Sequence, residues 1–155
     1  MLNAIGLQNP GIDVFKQRDI PFLKQYDTKI IVNVCGKSVE DYVEVVEKLG
    51  DSKDVAMLEI NVSCPNVVGL TSLQDISFLS DIVDKLLDLR MLFDSYKPIL
   101  LKVSPDLAHQ QLDDIIDYCL RSGIDGIVAG NTTRSREGLT TISQEKIEEI
   151  GNGGM

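Results

Sequence analysis

The feature that most constrains this chain is an alternation. Four short runs, continuous in Ile, Val and Leu and bounded by charged or turn residues, read as buried strands: Lys29–Cys35, Val55–Asn61, Pro98–Ser104 and Gly126–Gly130. Helical spacing fills the intervals. Val39, Val43, Val46 and Leu49 share a face over Val39–Leu49, and Ile82, Leu86, Leu89 and Phe93 share one over Phe78–Phe93. A third helix is expected over Leu107–Ser122, with Leu112, Ile115, Ile116 and Leu120 turned inward, Asp106 as N-cap and Gly123 just past the end. A fourth runs from Ser143 to Ile150 and stops at Gly151, with Lys146 standing where a capping box would have Glu. The order βαβαβαβα implies a parallel sheet with right-handed crossovers, either doubly wound or rolled into a barrel.

Strand ends separate those two. In a barrel every strand delivers its last residues to one mouth, whereas a doubly wound sheet gathers ligand contacts at one switch point. Here each run ends on polar side chains: Asn33 in the first, Asn61 and then Ser63, Cys64 and Asn66 after the second, Lys102 in the third, Asn131 and Thr132 after the fourth. No G-x-G-x-x-G follows a strand, as a doubly wound dinucleotide fold would expect. The expected fold is therefore α/β, a partial TIM (β/α)8 barrel. A full barrel takes about 250 residues, roughly 30 per unit, so a 155-residue chain with four units is about half of one. Residues 1–155 are expected to be the central portion of a single barrel domain, incomplete at both ends. Such a half exposes two sheet edges and uncovered apolar faces, so self-association into a homo-oligomer is expected.

Composition narrows the function. Fifteen Lys and Arg stand against 24 Asp and Glu, a net charge of −9, without a basic run. Phosphate backbones and anionic lipid are poor partners for such a surface. No stretch approaches the roughly 20 apolar residues of a membrane span, and Met1–Pro10 has no signal-peptide pattern, so a cytoplasmic location is expected. Cys35, Cys64 and Cys119 are odd in number and far apart, which suits neither a disulfide framework nor a zinc site. His109 is the only histidine, against a Ser-His-Asp triad or a multi-histidine metal site, and no metal is expected.

The most informative segment is Asn61-Val-Ser-Cys-Pro-Asn66. Pro65 restricts Cys64 to extended backbone and ends the strand, which sets the thiol on a loop at the mouth, where an adjusted pKa would make it a general base. The competing reading is a small buried residue at a strand exit. Asn61 and Asn66 bracket it with two amides, suited to the alternating N–H and C=O edge of a planar heterocycle. Lys102 lies in the apolar Ile99-Leu-Leu-Lys-Val103 and needs an anion: either a ligand that is or becomes negative, or an acid on the next strand such as Glu59. Asn131-Thr-Thr133 alone reads equally as a turn or helix cap. Cys35 and Cys119 read as structural, His109 as solvated, and Asp113-Asp114 and Glu148-Glu149 as solvated helix faces.

Four segments, Asn3-Ala-Ile-Gly-Leu-Gln-Asn-Pro10, Asn61–Asn66, Leu101-Lys-Val-Ser-Pro-Asp106 and Ile124-Asp-Gly-Ile-Val-Ala-Gly-Asn-Thr-Thr133, resemble in order and spacing the central half of dihydroorotate dehydrogenases. The resemblance implies an FMN-containing (β/α)8 barrel that oxidises dihydroorotate to orotate in pyrimidine synthesis. Dihydropyrimidine dehydrogenases look similar, but usually carry His where Asn66 stands. By this likeness Cys64 is the base, and Asn3, Asn61, Asn66 and Asn131 hold the substrate with Thr132 beside them. Main-chain groups of Ile5, Gly6 and Leu7 match the segment near its carboxylate. Asn33, Asn61 and Lys102 match flavin-contacting positions, with Lys102 opposite the anionic reduced ring, and Gly153 and Gly154 resemble the start of a glycine motif near the ribityl chain and phosphate.

A cysteine base resembles the soluble class 1 enzymes, and Asn3–Pro10 the subgroup that passes electrons to NAD through an iron-sulfur flavoprotein subunit. Val67–Gln74 and Asn131–Leu139 look more like the quinone-using class 2, whose base is Ser, so at sequence level NAD, fumarate and quinone all stand as acceptors. Two other readings compete: a related flavin oxidoreductase acting on another pyrimidine such as dihydrouracil, and a non-catalytic half-barrel.

Overall fold

Strands form where the apolar runs place them. In the computed structural model, which describes residues 6–63, 76–151 and 154, they are β1 (Ile30–Val34), β2 (Val55–Asn61), β3 (Ile99–Val103) and β4 (Gly126–Ala129). The expected runs are trimmed only at their charged or turn ends. The pairings among these four strands are parallel, in the order β1-β2-β3-β4. That order decides between the two architectures, because a doubly wound sheet reverses direction at a switch point and this one never does. The helices follow the same progression: α3 (Val39–Leu49) lies against α4 (Ile76–Arg90), and α4 against α5 (His109–Ser122).

Period-two burial gives the sheet two faces. Ile30, Val32 and Val34 of β1, Leu58 and Ile60 of β2, and Ile99, Leu101 and Val103 of β3 are buried in one core. Tyr42, Val46 and Leu49 of α3, Leu79, Ile82, Val83 and Leu86 of α4, and Ile115 and Cys119 of α5 share it. A fully buried side chain of this kind stabilises by about 2 kcal/mol. The alternate residues of the strands, Ile31, Asn33, Glu59 and Lys102 among them, belong to the other face, where Ile31 is half exposed.

Local chemistry sets the helix ends. Ser38 and Asp41 form a reciprocal capping box on α3: Ser38 Oγ accepts from the Asp41 amide, and Asp41 Oδ2 accepts from the Ser38 amide. Ser143 caps α6 (Gln144–Ile150) by accepting from the Lys146 amide, as expected. Gly123 follows α5 at φ 86°, a left-handed conformation that a side chain would resist.

Four expectations need correction. The N-cap of α5 is Ala108, whose amide donates to Gln111 Oε1, because Asp106 is engaged across the sheet end instead. On the same helix Ile116 and Leu120 face outward, Leu120 being 79% exposed. The stripe that meets α4 runs through Ile115, Tyr118 and Cys119, and residues one position further lie about 100° around the helix. Phe93 lies beyond the end of α4, its ring so close to Gly50 that a Cβ there would sit 2.1 Å from a ring carbon. Before β1 the chain forms a short helical segment with no counterpart in the expected order: α1 (Ile12–Val14), a π turn (Phe15–Asp19) and α2 (Ile20–Leu23). Lys16-Gln-Arg-Asp19 interrupts its apolar spacing, so no stripe longer than one turn announces it.

Candidate active site

Parallel strands in sequential order bring all their C-terminal ends to one rim. There the register sets Asn33 opposite Glu59 and Asn61 opposite Lys102. Polar side chains in such apolar strands need partners, and here they find one another. Asn33 Nδ2 donates to Glu59 Oε1, and Asn61 Nδ2 donates to Asn33 Oδ1 at 3.2 Å. Asn61 Oδ1 accepts from both the amide and the hydroxyl of Ser63, each at 3.1 Å. Asn131 Nδ2 crosses from the end of β4 to Ser63, 2.9 Å from its carbonyl and 3.0 Å from its hydroxyl oxygen. Asn131 Oδ1 in turn accepts from the Thr132 amide at 2.8 Å. A continuous row therefore runs Glu59, Asn33, Asn61, Ser63, Asn131 across three of the four strand ends.

Both readings of Lys102 meet in this row. Its Nζ lies 3.7 Å from Glu59 Oε1, so the neighbouring acid is its partner. The separation is longer than the roughly 2.8 Å of a tight ammonium–carboxylate bond, and the lysine side chain keeps 22% exposure towards the open face. Asn61, by contrast, is 3% exposed and Ser63 1%. From behind, the Tyr42 hydroxyl donates to the Asn61 carbonyl at 2.8 Å, tying the row to α3.

Neighbouring loops brace the rim. Asp106, after β3, accepts from the Thr133 hydroxyl at 2.5 Å and from the Arg134 amide at 2.8 Å, after β4. Beside β1 a cavity of about 340 Å³ is lined by Leu7, Phe15, Leu23, Ile31, Asn33 and Cys35 among others. Leu7 reaches this cavity while its carbonyl accepts from Asn9 Nδ2 at 2.8 Å, and the Gly6 carbonyl accepts from the Gln8 amide at 2.9 Å. Gly154 is buried in a strand-like bridge.

Of the site residues read from sequence, Asn33, Asn61, Lys102 and Asn131 thus come together, with Thr132 attached through Asn131. Gly6 and Leu7 lie on the β1 side, Leu7 in the same cavity wall as Asn33. Asn3, Ile5, Cys64, Asn66 and Gly153 lie outside the described residues. Sequence reasoning did not rank Ser63 as a site residue, yet two side chains of the rim, Asn61 and Asn131, bond to it. The available signal was its place directly before Cys64 in a buried strand exit. Cys119, read as structural, is buried in the core, and burial pushes its thiol pKa up. His109 and the two acidic pairs are exposed, and among the described residues no cluster of His, Cys, Asp and Glu could hold a metal ion. No helix among them is long and apolar enough to cross a membrane.

Comparison with known proteins agrees with this fold. The dihydroorotate dehydrogenase family model matches residues 1–155. The chain is 51% identical over 159 residues to the catalytic subunit of dihydroorotate dehydrogenase B (NAD(+)) from Lachnoclostridium phytofermentans, an alignment covering 100% of this chain and 49% of the relative. It is 44% identical over 133 residues to the protein of the same name from Alkaliphilus metalliredigens, covering 85% and 42%. Among solved structures, DHODH from Eimeria tenella in complex with ferulenol superposes with a TM-score of 0.80 at 24% identity, over 99% of this chain and 47% of that one. The ligand-free form from the same organism gives 0.73 at 26%, over 96% and 48%. The chain spans about half the length of the curated relatives it matches, and its sheet corresponds to four consecutive units of a TIM-type barrel. With the family model matched from end to end and half of all residues shared with a curated relative, this chain belongs to the dihydroorotate dehydrogenase family.

Proposed function

We propose that a protein carrying this chain oxidises dihydroorotate to orotate in pyrimidine nucleotide synthesis with FMN as cofactor, residues 1–155 being the central portion of one FMN-binding barrel domain. The observation that carries the reading is the row of amides and one ammonium along the C-terminal strand ends, where β/α barrels do their chemistry. Such a row fits a flavin: Asn33 and Asn61 offer amide donors and acceptors to a planar heterocycle, and Lys102 offers the positive charge its reduced ring needs. FMN, when bound, supplies the two-electron acceptor for the hydride that leaves the substrate.

Cys64, as thiolate, takes the proton from the ring carbon next to the carboxyl-bearing carbon. The electron pair of that C–H bond becomes the new ring double bond as the hydride departs from the neighbouring carbon. Asn3, Asn61, Asn66 and Asn131, with Thr132, hold the pyrimidine edge, and main-chain groups of Ile5, Gly6 and Leu7 lie near its carboxylate. Asn33, Asn61 and Lys102 hold the flavin ring, with Gly153 and Gly154 near its ribityl chain and phosphate. Ser63 keeps Asn61 and Asn131 in fixed relation one residue before the base. The relatives' names, with NAD(+) and "catalytic subunit", support electron exit to NAD through a further subunit; the same reading makes that subunit an iron-sulfur flavoprotein and places the protein in the cytoplasm.

The test is single-turnover flavin reduction in the full-length protein. Cys64→Ala should slow reduction by dihydroorotate by about 10² or more while orotate affinity changes little, and Cys64→Ser should recover part of the rate at raised pH. Unchanged reduction by Cys64→Ala removes it from the mechanism, and a preference for dihydrouracil over dihydroorotate overturns the substrate assignment.

A further inference from the structure

We infer that Glu59 is a positioning residue that holds Lys102 and sets how much of its positive charge a bound flavin meets; this rests on the reading proposed above. Nothing in that reading uses Glu59, yet among the described residues its carboxylate is the one anion on the sheet face between the two flavin-matching side chains Asn33 and Lys102. Its Oε1 receives Asn33 Nδ2, and the same oxygen faces Lys102 Nζ at 3.7 Å. At that separation Lys102 is tethered to an oxygen it shares with Asn33 without being tightly bonded. An ammonium so placed has hydrogens left for a ligand on the open face, and a carboxylate that draws it back from that ligand. The side chains keep 22% and 18% exposure, so the pair borders the face and is not sealed in the core.

The arrangement has a direct electrical consequence. A charge a few ångströms from a redox group shifts the balance between its neutral and anionic forms by a decade or more. By drawing the Lys102 ammonium towards itself, Glu59 therefore limits the preference that Lys102 gives to reduced, anionic FMN. Glu59→Gln is the informative change, since the amide oxygen still accepts from Asn33 while the charge is gone.

The experiment measures the affinities of oxidised and reduced FMN for the full-length protein, by flavin fluorescence and redox titration. Glu59→Gln should favour reduced FMN about tenfold more than the wild type does, raising the midpoint potential, and Lys102→Met should shift the ratio the other way. In the Lys102→Met background Glu59→Gln should lose most of its effect. Glu59→Ala is the second variant and must move the ratio in the same direction as Gln. An unchanged ratio in both Glu59 variants with FMN still bound overturns the inference and leaves the proposed function standing, as does an equal shift with and without Lys102. Failure of the wild-type protein to take up FMN overturns the functional reading and this inference together.

Discussion

The two ends of the sheet are both rich in polar side chains, but they spend them differently. At the N-terminal end side chains grip backbone. Lys97, 4% exposed, donates to the carbonyls of Ser52 at 2.9 Å and Val55 at 2.6 Å, joining the start of β3 to that of β2. Asp125, just before β4, accepts from the Ile99 amide at 2.7 Å and from Arg90 Nη1 at 2.7 Å, while Arg90 Nη2 reaches the Gly123 carbonyl at 3.2 Å. Tyr96 donates its hydroxyl to Asp125 and lies under the Arg90 guanidinium, 4.9 Å from ring centroid to Cζ. At the C-terminal end side-chain amides also bond one another and the Ser63 hydroxyl, Asn61 to Asn33 and, through Ser63, Asn131 to Asn61, alongside their contacts with backbone. A grip on backbone fixes strand positions and has nothing to exchange, whereas side-chain amides can trade a neighbour for a ligand of the same hydrogen-bonding pattern. One end is built to hold the sheet, the other to be used.

The strongest way to break this contrast is Asp125→Ala. It leaves the Arg90 guanidinium, 10% exposed, without its anion and the Ile99 amide without its acceptor, so it should cost about 3 kcal/mol in urea unfolding. FMN affinity of the folded fraction should stay as it was; a loss of cofactor beyond the loss of fold would show that the holding end also shapes the site.

Ser63→Ala tests the other end. Losing the hydroxyl that bonds Asn61 and Asn131 should cost about 1 kcal/mol of stability, and it should slow flavin reduction by more than that loss accounts for. Equal, small effects on stability and rate would reduce Ser63 to packing.

The smallest effect concerns groups that belong to neither end. Tyr118 donates to Asp84 at 2.6 Å between α5 and α4, and burial together with that carboxylate raises its phenol pKa, as burial raises the Cys119 thiol. For both, the folded state keeps the proton to higher pH than the unfolded state does. Their contribution is complete at neutral pH and declines as pH climbs past the ordinary values, about 8.5 for the thiol and 10 for the phenol. Tyr118→Phe should flatten the alkaline part of the stability curve; a variant as alkali-sensitive as the wild type would assign that decline elsewhere.

Much of this could be read from sequence because the strongest signals were local. Continuous Ile/Val/Leu runs placed all four strands within a residue, and the α3 stripe placed its helix residue for residue. The need of Asn33, Asn61 and Lys102 for partners was equally legible, since a polar side chain inside an apolar strand cannot stand alone. What stayed hidden was which partner each would choose. Asp106 looks like a cap and instead reaches Thr133 and Arg134, 27 and 28 residues on. Tyr42 and Ser63 matter through contacts across strands, which no periodicity encodes. Leu120 shows the converse: its residue type suggested the core, but helix rotation turned it to the surface.

The strand order carries one more consequence, for the way the chain reaches its fold. Since β1 pairs β2, β2 pairs β3 and β3 pairs β4, every pairing among the described strands joins neighbours in sequence. Loop closure is thus kept short at each step, which favours fast formation. During synthesis this order lets each β/α unit dock on the one already made as it leaves the ribosome.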